Sequence, residues 1–419
     1  MNCNEKKVSE FVIKVASRCN LNCSYCYIYN KGDFTYKTQP KFISQQNIDS
    51  LMARVKEHLT AHDIPHVSFI FHGGEPLLAG LDFFREFRQK CDDMLSGMVS
   101  VDYHMQTNGV LLDEATCCLL TELNVQVGIS IDGVKEIHNQ SRVYHSGKGS
   151  FDDVMLGLAI LKNYQPLSVI SVININSDPK ALYQFVRHVG VDRFSVLLPD
   201  CTYDNPDPSL NMSDDNHHAP YGEWLVALFE EWIKDNSSDR PVISLFRNII
   251  NLLLGEEAGD EGIGRRMNHA LTIQTDGSYE IHDVLKICGD GFSHSSMTVD
   301  DSSIDRLLGT ALADAYYLSH QNLCARCQAC PVGEICGGGF VAHRYSSGRG
   351  FDNASVYCKD LMRIITHIQN RLIRLLPAAV LQAANLYPMS YREGRAQLMA
   401  SEGCTTQPSE KLMATYSET

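Results

Sequence analysis

The sequence predicts an α/β fold built in two parts. Six strand–helix repeats form an open, partial barrel, and a smaller cysteine-rich domain follows it. Three observations support this. Apolar runs alternate with amphipathic segments through the first part of the chain. Polar and glycine-rich residues follow every one of those runs. Six of the 15 cysteines fall between Cys288 and Cys358.

The strand candidates are Phe11–Val15, Val67–Phe71, Tyr103–Gln106, Val125–Ile131, Ser168–Asn174 and Phe194–Leu198. They read as near-continuous runs of Val, Ile and Phe, as strands buried on both faces do. Helices are expected over Gln46–Thr60, Leu81–Leu95, Asp113–Leu123, Phe151–Lys162 and Ala181–Val189, with Asp113 and Ser150 as N-caps. Repeated β/α units imply a parallel sheet with helices outside. Six rather than eight leaves a TIM-like barrel open, a partial (β/α)6 arrangement. Chemistry in such folds gathers at the C-terminal strand ends. Those ends read Cys19–Cys26 after strand one, His72-Gly73-Gly74-Glu75-Pro76 after strand two and Gln106-Thr107-Asn108-Gly109 after strand three. Strand four ends in Ser130-Ile131-Asp132-Gly133, strand five in Asn174-Ile175-Asn176 and strand six in Leu198-Pro199-Asp200.

Residues 200–216 are rich in Pro, Asp, Asn and Ser and read as a loop on that rim. Two helices follow, over Tyr221–Lys234 and Arg240–Leu254; Trp224, Leu225, Leu228 and Trp232 of the first are spaced as core. The acidic run Gly255–Gly264 marks a boundary. The expected segments are a barrel core over 8–240, a linker helix over 241–264, a cysteine-rich domain over 265–375 and a tail over 376–419.

The chain carries 36 basic and 50 acidic residues, a net charge of −14, which argues against a nucleic-acid partner. No run reaches ~18 uncharged apolar residues, so no membrane span is expected. Met1 to Glu10 is polar and carries no signal peptide, so a cytoplasmic location is expected. Thiols stay reduced there, and clustered cysteines then read as metal ligands rather than disulfides.

Cys19, Cys23 and Cys26 are spaced C-x3-C-x2-C directly after the first strand. Thiolates are soft ligands that suit iron–sulfur clusters, and a full cluster takes four. Three local ligands leave one iron of a [4Fe-4S] cluster open to S-adenosylmethionine (SAM). A zinc knuckle is the alternative, but zinc in a closed site wants a fourth ligand, and none lies nearby. With Tyr25 and Tyr27 flanking the third cysteine, the motif resembles the radical SAM superfamily signature. The resemblance implies that Gly73, Gly74 and Glu75 of the second strand end bind the methionine amino group. It implies that Ser130 contacts SAM and that Arg142 holds its carboxylate, a role the arginine fork suits. Tyr25, Gln106 and Asn174 complete the implied cofactor-binding set. Arg142 is otherwise a solvated loop arginine.

Downstream, Cys324, Cys327, Cys330 and Cys336 run into Gly337-Gly338-Gly339, and Cys358 follows after a gap. Zinc is again the rival. The region resembles the SPASM domain of peptide-modifying radical SAM enzymes, which carries two auxiliary clusters. The resemblance implies that Cys327, Cys330, Cys336 and Cys358 ligate the distal one. Two positions that are cysteine in the family are Phe340 and His282 here. Cys288 and Cys324 then remain for a proximal cluster that is absent or completed by other ligands.

The tail of the motif, His343–Ser346, Gly350–Asn353 and Ser355–Cys358, with Asp276-Gly277 and Asp283–Lys286, looks like the subgroup that forms three-residue cyclophanes. That group contains the darobactin and XYE-type maturases. It implies a ribosomal precursor peptide as substrate, a flavodoxin or ferredoxin as electron donor, and carbon–carbon bond formation after β-hydrogen abstraction. Asp283 is the first candidate for the base and His343 the second. Asp283 could instead cap a turn, and His343 could be a core histidine. Formylglycine formation, as in sulfatase maturation, is the nearest alternative; there an aspartate follows a SPASM cysteine, whereas Gly289 follows Cys288 here. Thioether formation is another alternative, and a non-catalytic iron–sulfur electron carrier is the alternative from a different class.

Overall fold

The computed structural model describes residues 6–210 and 217–402. The end of the expected rim loop, 211–216, and the end of the tail, 403–419, lie outside the described residues. Six β/α repeats run in order: β1 (Glu10–Ala16), α1 (Gln45–Ala61), β2 (His66–Gly73), α2 (Leu81–Leu95), β3 (Ser100–Thr107), α3 (Glu114–Glu122), β4 (Val125–Ser130), α4 (Lys135–Ser141), α5 (Phe151–Leu161), β5 (Ser168–Val172), α6 (Pro179–Val189) and β6 (Arg193–Leu197). Then come α7 (Pro220–Lys234), β7 (Val242–Ile243), α8 (Ser244–Leu253), β8 (Ala270–Ile273), β9 (Ser278–Glu280), β10 (His294–Thr298), α9 (Ile304–Leu308) and α10 (Ala311–Tyr317). The chain closes with α11 (Ala325–Gln328), α12 (Gly333–Cys336), α13 (Cys358–Leu375), α14 (Ala378–Ala383) and α15 (Tyr391–Glu402). Among the described residues no helix is long and apolar enough to cross a membrane.

The chain forms two compact units. The first comprises residues up to 171 with 190–193 and 269–316; the second comprises 172–189, 194–268 and the residues from 317 onward. In the first unit β1 to β5 lie side by side in parallel, with Phe11 opposite Phe69, Phe69 opposite Tyr103, Tyr103 opposite Val125 and Ile129 opposite Val169. On the other edge of β1, β8 adds in parallel, and β9 and β10 continue antiparallel. The segment after the acidic run thus returns to extend the sheet.

Burial departs from the expected two-faced pattern. Along β2, β3 and β4 it alternates, with mostly buried residues on one face and half-buried or exposed ones on the other. The buried face meets helices: Phe84 and Phe87 of α2 set their rings edge-on to Phe71, with centroids 5.2 and 4.9 Å away. The opposite face stays accessible because the barrel is open. It carries polar residues such as His104, Gln106 and Ser168, which line a cavity with an empty volume of about 1370 Å³.

Local signals explain most boundaries. Asp113 caps α3 through Thr116 N at 2.8 Å. Ser150 is helical (φ −100°, ψ −3°) and caps nothing; its hydroxyl donates instead to Arg142 O at 2.8 Å. Pro241 disfavours a helical Arg240, so α8 begins at Ser244 rather than at Arg240. In the second unit, Trp224, Leu225, Leu228 and Trp232 are buried core, and the two indoles donate to Ser177 O and Pro241 O, each at 2.9 Å. Gly222 lets α13 cross α7 closely, since a Cβ there would lie 2.8 Å from Asp360 O.

Candidate active site

The cysteine loop leaves β1 and is tied to the segment that carries Arg142. Asn22 N donates to Val143 O at 2.8 Å and Ser24 N to Ser141 O at 3.0 Å. Cys26 N folds back onto Cys23 O at 3.0 Å. Cys19, Cys23 and Cys26 are all partly exposed, and the other two thiols act electrostatically on Cys19. Burial pushes Cys19 up to about 12 and Cys26 up to about 11. Clustered thiols that are costly to ionise alone are what a metal stabilises by displacing their protons. The donor set therefore fits a soft metal cluster with one ligand left open.

Beside this loop, the Tyr25 hydroxyl donates to Asp132 Oδ2 at 2.6 Å and accepts from Arg142 Nη1 at 2.7 Å. Arg142 is 7% exposed. Burial opposes its charge, but Tyr25, Cys23 and Asp132 hold it well above the ordinary arginine value. Its Nε is a buried donor without a hydrogen-bond partner among the described residues. A buried donor left unpaired is expensive, and an anion such as a carboxylate would satisfy it. Gln106 Nε2 donates to Ser130 Oγ at 2.9 Å, joining the ends of β3 and β4.

The second strand end packs tightly onto the loop. The close approach its glycines permit is to the chain itself. A Cβ on Gly73 would lie 2.2 Å from Ala16 O; one on Gly74 would lie 2.1 Å from the Tyr29 hydroxyl and 2.3 Å from Arg18 O. Glu75 is fully buried, and its carboxylate accepts from Leu77 N at 3.1 Å, Thr107 Oγ1 at 2.7 Å and Asn108 N at 2.8 Å. These residues brace the cysteine loop against β2 and β3. Gly74→Ala is accordingly expected to destabilise by about 1–3 kcal/mol, because backbone cannot yield as a rotamer can. A lower unfolding midpoint together with poorer iron loading would verify this.

A buried charged cluster adjoins the loop. Lys14 and Asp283 are each 3% exposed and form an ion pair. Tyr27, next to Cys26, donates its hydroxyl to the same carboxylate. Lys14 Nζ also lies 2.9 Å from His72 Nδ1 and 3.4 Å from the Tyr27 hydroxyl. His282 Nδ1 stands 3.5 Å from Asp283 Oδ1. Burial alone would raise the Asp283 pKa, but the facing charge of Lys14 overcomes it and holds the carboxyl far below the usual range. Asp283 is thus held in its ionised form by the charges around it. His72, buried beside Lys14, is held neutral, its pKa down to about 3. Lys14 and His72 were missed as site residues. A lone lysine inside the apolar run Phe11–Val15 was the available signal.

In the second unit, Cys327, Cys330, Cys336 and Cys358 line one cavity with an empty volume of about 350 Å³. Local sequence makes this possible. Gly337, Gly338 and Gly339 all have positive φ (64°, 87° and 70°), and a Cβ on Gly337 would lie 1.7 Å from Gly264 O. Burial pushes Cys330 up to about 11 and Cys336 up to about 12. Four convergent thiols fit a fully ligated cluster. Cys324 does not stand apart: its sulfur shares a hydrogen bond with Cys327, which draws the Cys324 thiol down and drives Cys327 up. Cys288 ends a 3-10 segment, Asp283–Cys288, in the first unit. His282, at an expected cysteine position, accepts from Val284 N at 3.2 Å. Phe340, at the other, sets its ring edge-on to His343 at 5.3 Å.

Asn174 also belongs to the second unit, where its side chain accepts from Asn176 N at 3.0 Å. His343 is buried between Phe340 and Tyr357, and its Nε2 lies 3.7 Å from Asp200 Oδ1. The narrow motif around it has structural work. Asn353 Nδ2 brackets the 346–350 turn through Arg344 O and Gly350 O at 2.9 and 3.2 Å, and the Tyr357 hydroxyl donates to Pro199 O at 2.7 Å.

Residues 13–186 match the Radical SAM superfamily. Among curated proteins, the chain is 27% identical over 364 residues to a cysteine-type anaerobic sulfatase-maturating enzyme of Clostridium novyi, covering 85% of this chain and 93% of that one. It is 26% identical over 399 residues to the serine-type enzyme of Bacteroides thetaiotaomicron, covering 87% and 90%. Among solved structures, native anSMEcpe with bound AdoMet superposes with a TM-score of 0.74 at 24% identity, over 87% of this chain and 98% of that one. Streptococcus suis SuiB bound to the precursor peptide SuiA superposes with a TM-score of 0.55 at 14% identity, over 80% and 72%.

Proposed function

We propose, from the match of residues 13–186 to the Radical SAM superfamily, that the chain is a radical SAM enzyme that oxidises a ribosomally made precursor peptide. In the finer reading it joins a β-carbon to an aromatic side chain two residues earlier, closing a cyclophane. The observation that carries the proposal is the buried Lys14–Asp283–Tyr27 cluster beside the cysteine loop. An electron carrier needs no such group.

Cys19, Cys23 and Cys26 would hold the SAM-binding cluster, Arg142 the SAM carboxylate, and Cys327, Cys330, Cys336 and Cys358 an auxiliary cluster. When bound, these groups supply a 5′-deoxyadenosyl radical for hydrogen abstraction and an electron acceptor, with a flavodoxin or ferredoxin as the outside donor. The protein's own residues handle the proton. Closing the ring and removing one electron leaves a protonated arene carbon, which is a strong acid. A carboxylate held well below neutrality can therefore accept that proton, directly or through the Tyr27 hydroxyl. Lys14 keeps the carboxylate charged and aimed. His343 is the weaker candidate, since aromatic rings enclose it.

The His343–Cys358 motif and the two missing ligand positions, His282 and Phe340, support the cyclophane. The near full-length likeness to two sulfatase-maturating enzymes supports a second reading, oxidation of a Cys or Ser side chain to formylglycine. The absence of an aspartate after Cys288 weighs little against it, because Asp283 already supplies a buried carboxylate. Both readings begin with loss of a β-hydrogen. Tandem mass spectrometry of the coexpressed precursor separates them. A cyclophane loses about 2 Da per ring by bond count, resists fragmentation between the joined residues and ignores hydrazide reagents. A hydrazide-reactive aldehyde, or a bond through sulfur, would overturn the cyclophane.

A further inference from the structure

We infer that Arg344 is the fixed counter-charge of the cluster held by Cys327, Cys330, Cys336 and Cys358, and that it raises that cluster's reduction potential. This rests on the reading that those four cysteines ligate an iron–sulfur cluster.

Arg344 ends the 3-10 segment Val341–Arg344 of the second unit and is 1% exposed. Its Nη1 donates to a neutral acceptor, Ser319 O, at 3.1 Å. Its Nε is a buried donor without a hydrogen-bond partner among the described residues. No carboxylate of the described residues forms an ion pair with it; Asp352 pairs instead with Arg349 Nη2, at 3.4 Å. A guanidinium taken out of water this completely is costly unless negative charge faces it.

It faces the glycine turn of the cysteine motif. A Cβ on Gly338 would lie 3.1 Å from Arg344 Nη1, so the guanidinium rests against that residue. Gly338 has a φ of 87° and lines the cavity together with the four cysteines. Arg344 thus lies directly behind the cavity's own wall, at a position where only glycine permits the approach. When loaded, the cavity is anionic, because four thiolates outweigh the positive charge of the cluster core. It then supplies the negative charge that the guanidinium otherwise lacks. Arg326 also lines the cavity, but it is half-exposed and water screens it.

The charge bears on the proposed reaction. Ring closure leaves an arene radical that must lose one electron and one proton. Asp283 takes the proton. The cluster takes the electron and becomes more negative by one charge. A fixed positive charge nearby favours that reduced state and makes the cluster the better acceptor.

The test uses full-length chain carrying Cys19→Ala, Cys23→Ala and Cys26→Ala, so that auxiliary iron alone gives the signal. Redox titration followed by electron paramagnetic resonance should show Arg344→Met titrating at a lower potential than the parent. Arg344→Lys, which keeps the charge, should titrate closer to the parent than the methionine variant does. Unfolding midpoints give an independent reading. Iron loading should raise the midpoint more in the parent than in Arg344→Met, because only the parent holds a buried charge that loading offsets. A parent-like potential in Arg344→Met, or a lysine variant that titrates with methionine, overturns the electrostatic role. An equal gain in midpoint on loading overturns the counter-charge. If methionine prevents folding, the lysine variant's potential against the parent's still decides. No iron signal in the parent overturns the cluster reading and the inference with it.

Discussion

Replacing Cys19, Cys23 and Cys26 together by Ala is expected to abolish 5′-deoxyadenosine formation and to remove one cluster's worth of iron. The expectation follows from the thiol set itself. Its members sit on one loop, are pushed well above the ordinary thiol range by burial, and have no fourth cysteine beside them in the sequence. A structural zinc site would instead be closed by four protein ligands. The auxiliary iron should survive, because Cys327, Cys330, Cys336 and Cys358 line a separate cavity. Iron analysis after anaerobic reconstitution, paired with chromatography of the SAM cleavage product, reads both outcomes. Residual 5′-deoxyadenosine from the triple variant would sink the assignment of this loop.

Asp283→Asn is expected to cut peptide product by ~10²–10⁴-fold while leaving SAM cleavage largely intact, the range typical of losing a positioned proton acceptor. The amide keeps the shape but cannot take a proton, and it leaves Lys14 without a counter-charge. Since breaking a buried pair costs roughly 3–5 kcal/mol, the variant should also unfold at a lower temperature. The pH dependence has a definite sign. The folded-state pKa of Asp283 is depressed, so its contribution to stability is fully present above the unfolded carboxylate value, ~3.9. That contribution is lost only as pH falls toward the lower folded value. Activity and stability should therefore show no Asp283 titration between pH 5 and 8, to be read from paired pH profiles of wild type and variant. Equal loss of SAM cleavage and product would contradict a role after hydrogen abstraction.

Much of this was legible because strand ends are local. Cys19–Cys26, Gln106 and Ser130 each lie at or just past the end of a strand that periodicity locates, and the parallel sheet then brings them to one rim; Arg142 follows α4, a short helix outside the expected set. Partnerships across long separations were not legible. Asp283 meets Lys14 only because β8 and β9 return to the edge of β1, a pairing no periodicity announces. Asp132 reads as a turn residue until Tyr25 is found on it. Nor does the sequence announce that Gly73 and Gly74 pack against the Ala16 and Arg18 carbonyls. The inner strand face looked buried because an apolar run says nothing about whether a barrel closes.

The central claim is hydrogen abstraction from a peptide β-carbon. It is tested most directly with a candidate precursor peptide deuterated at the β-carbons of its candidate crosslinking residues. Deuterium should appear in 5′-deoxyadenosine, one atom per abstraction event, when the protein turns over with SAM and reductant. 5′-Deoxyadenosine free of deuterium, formed alongside modified peptide, would contradict it.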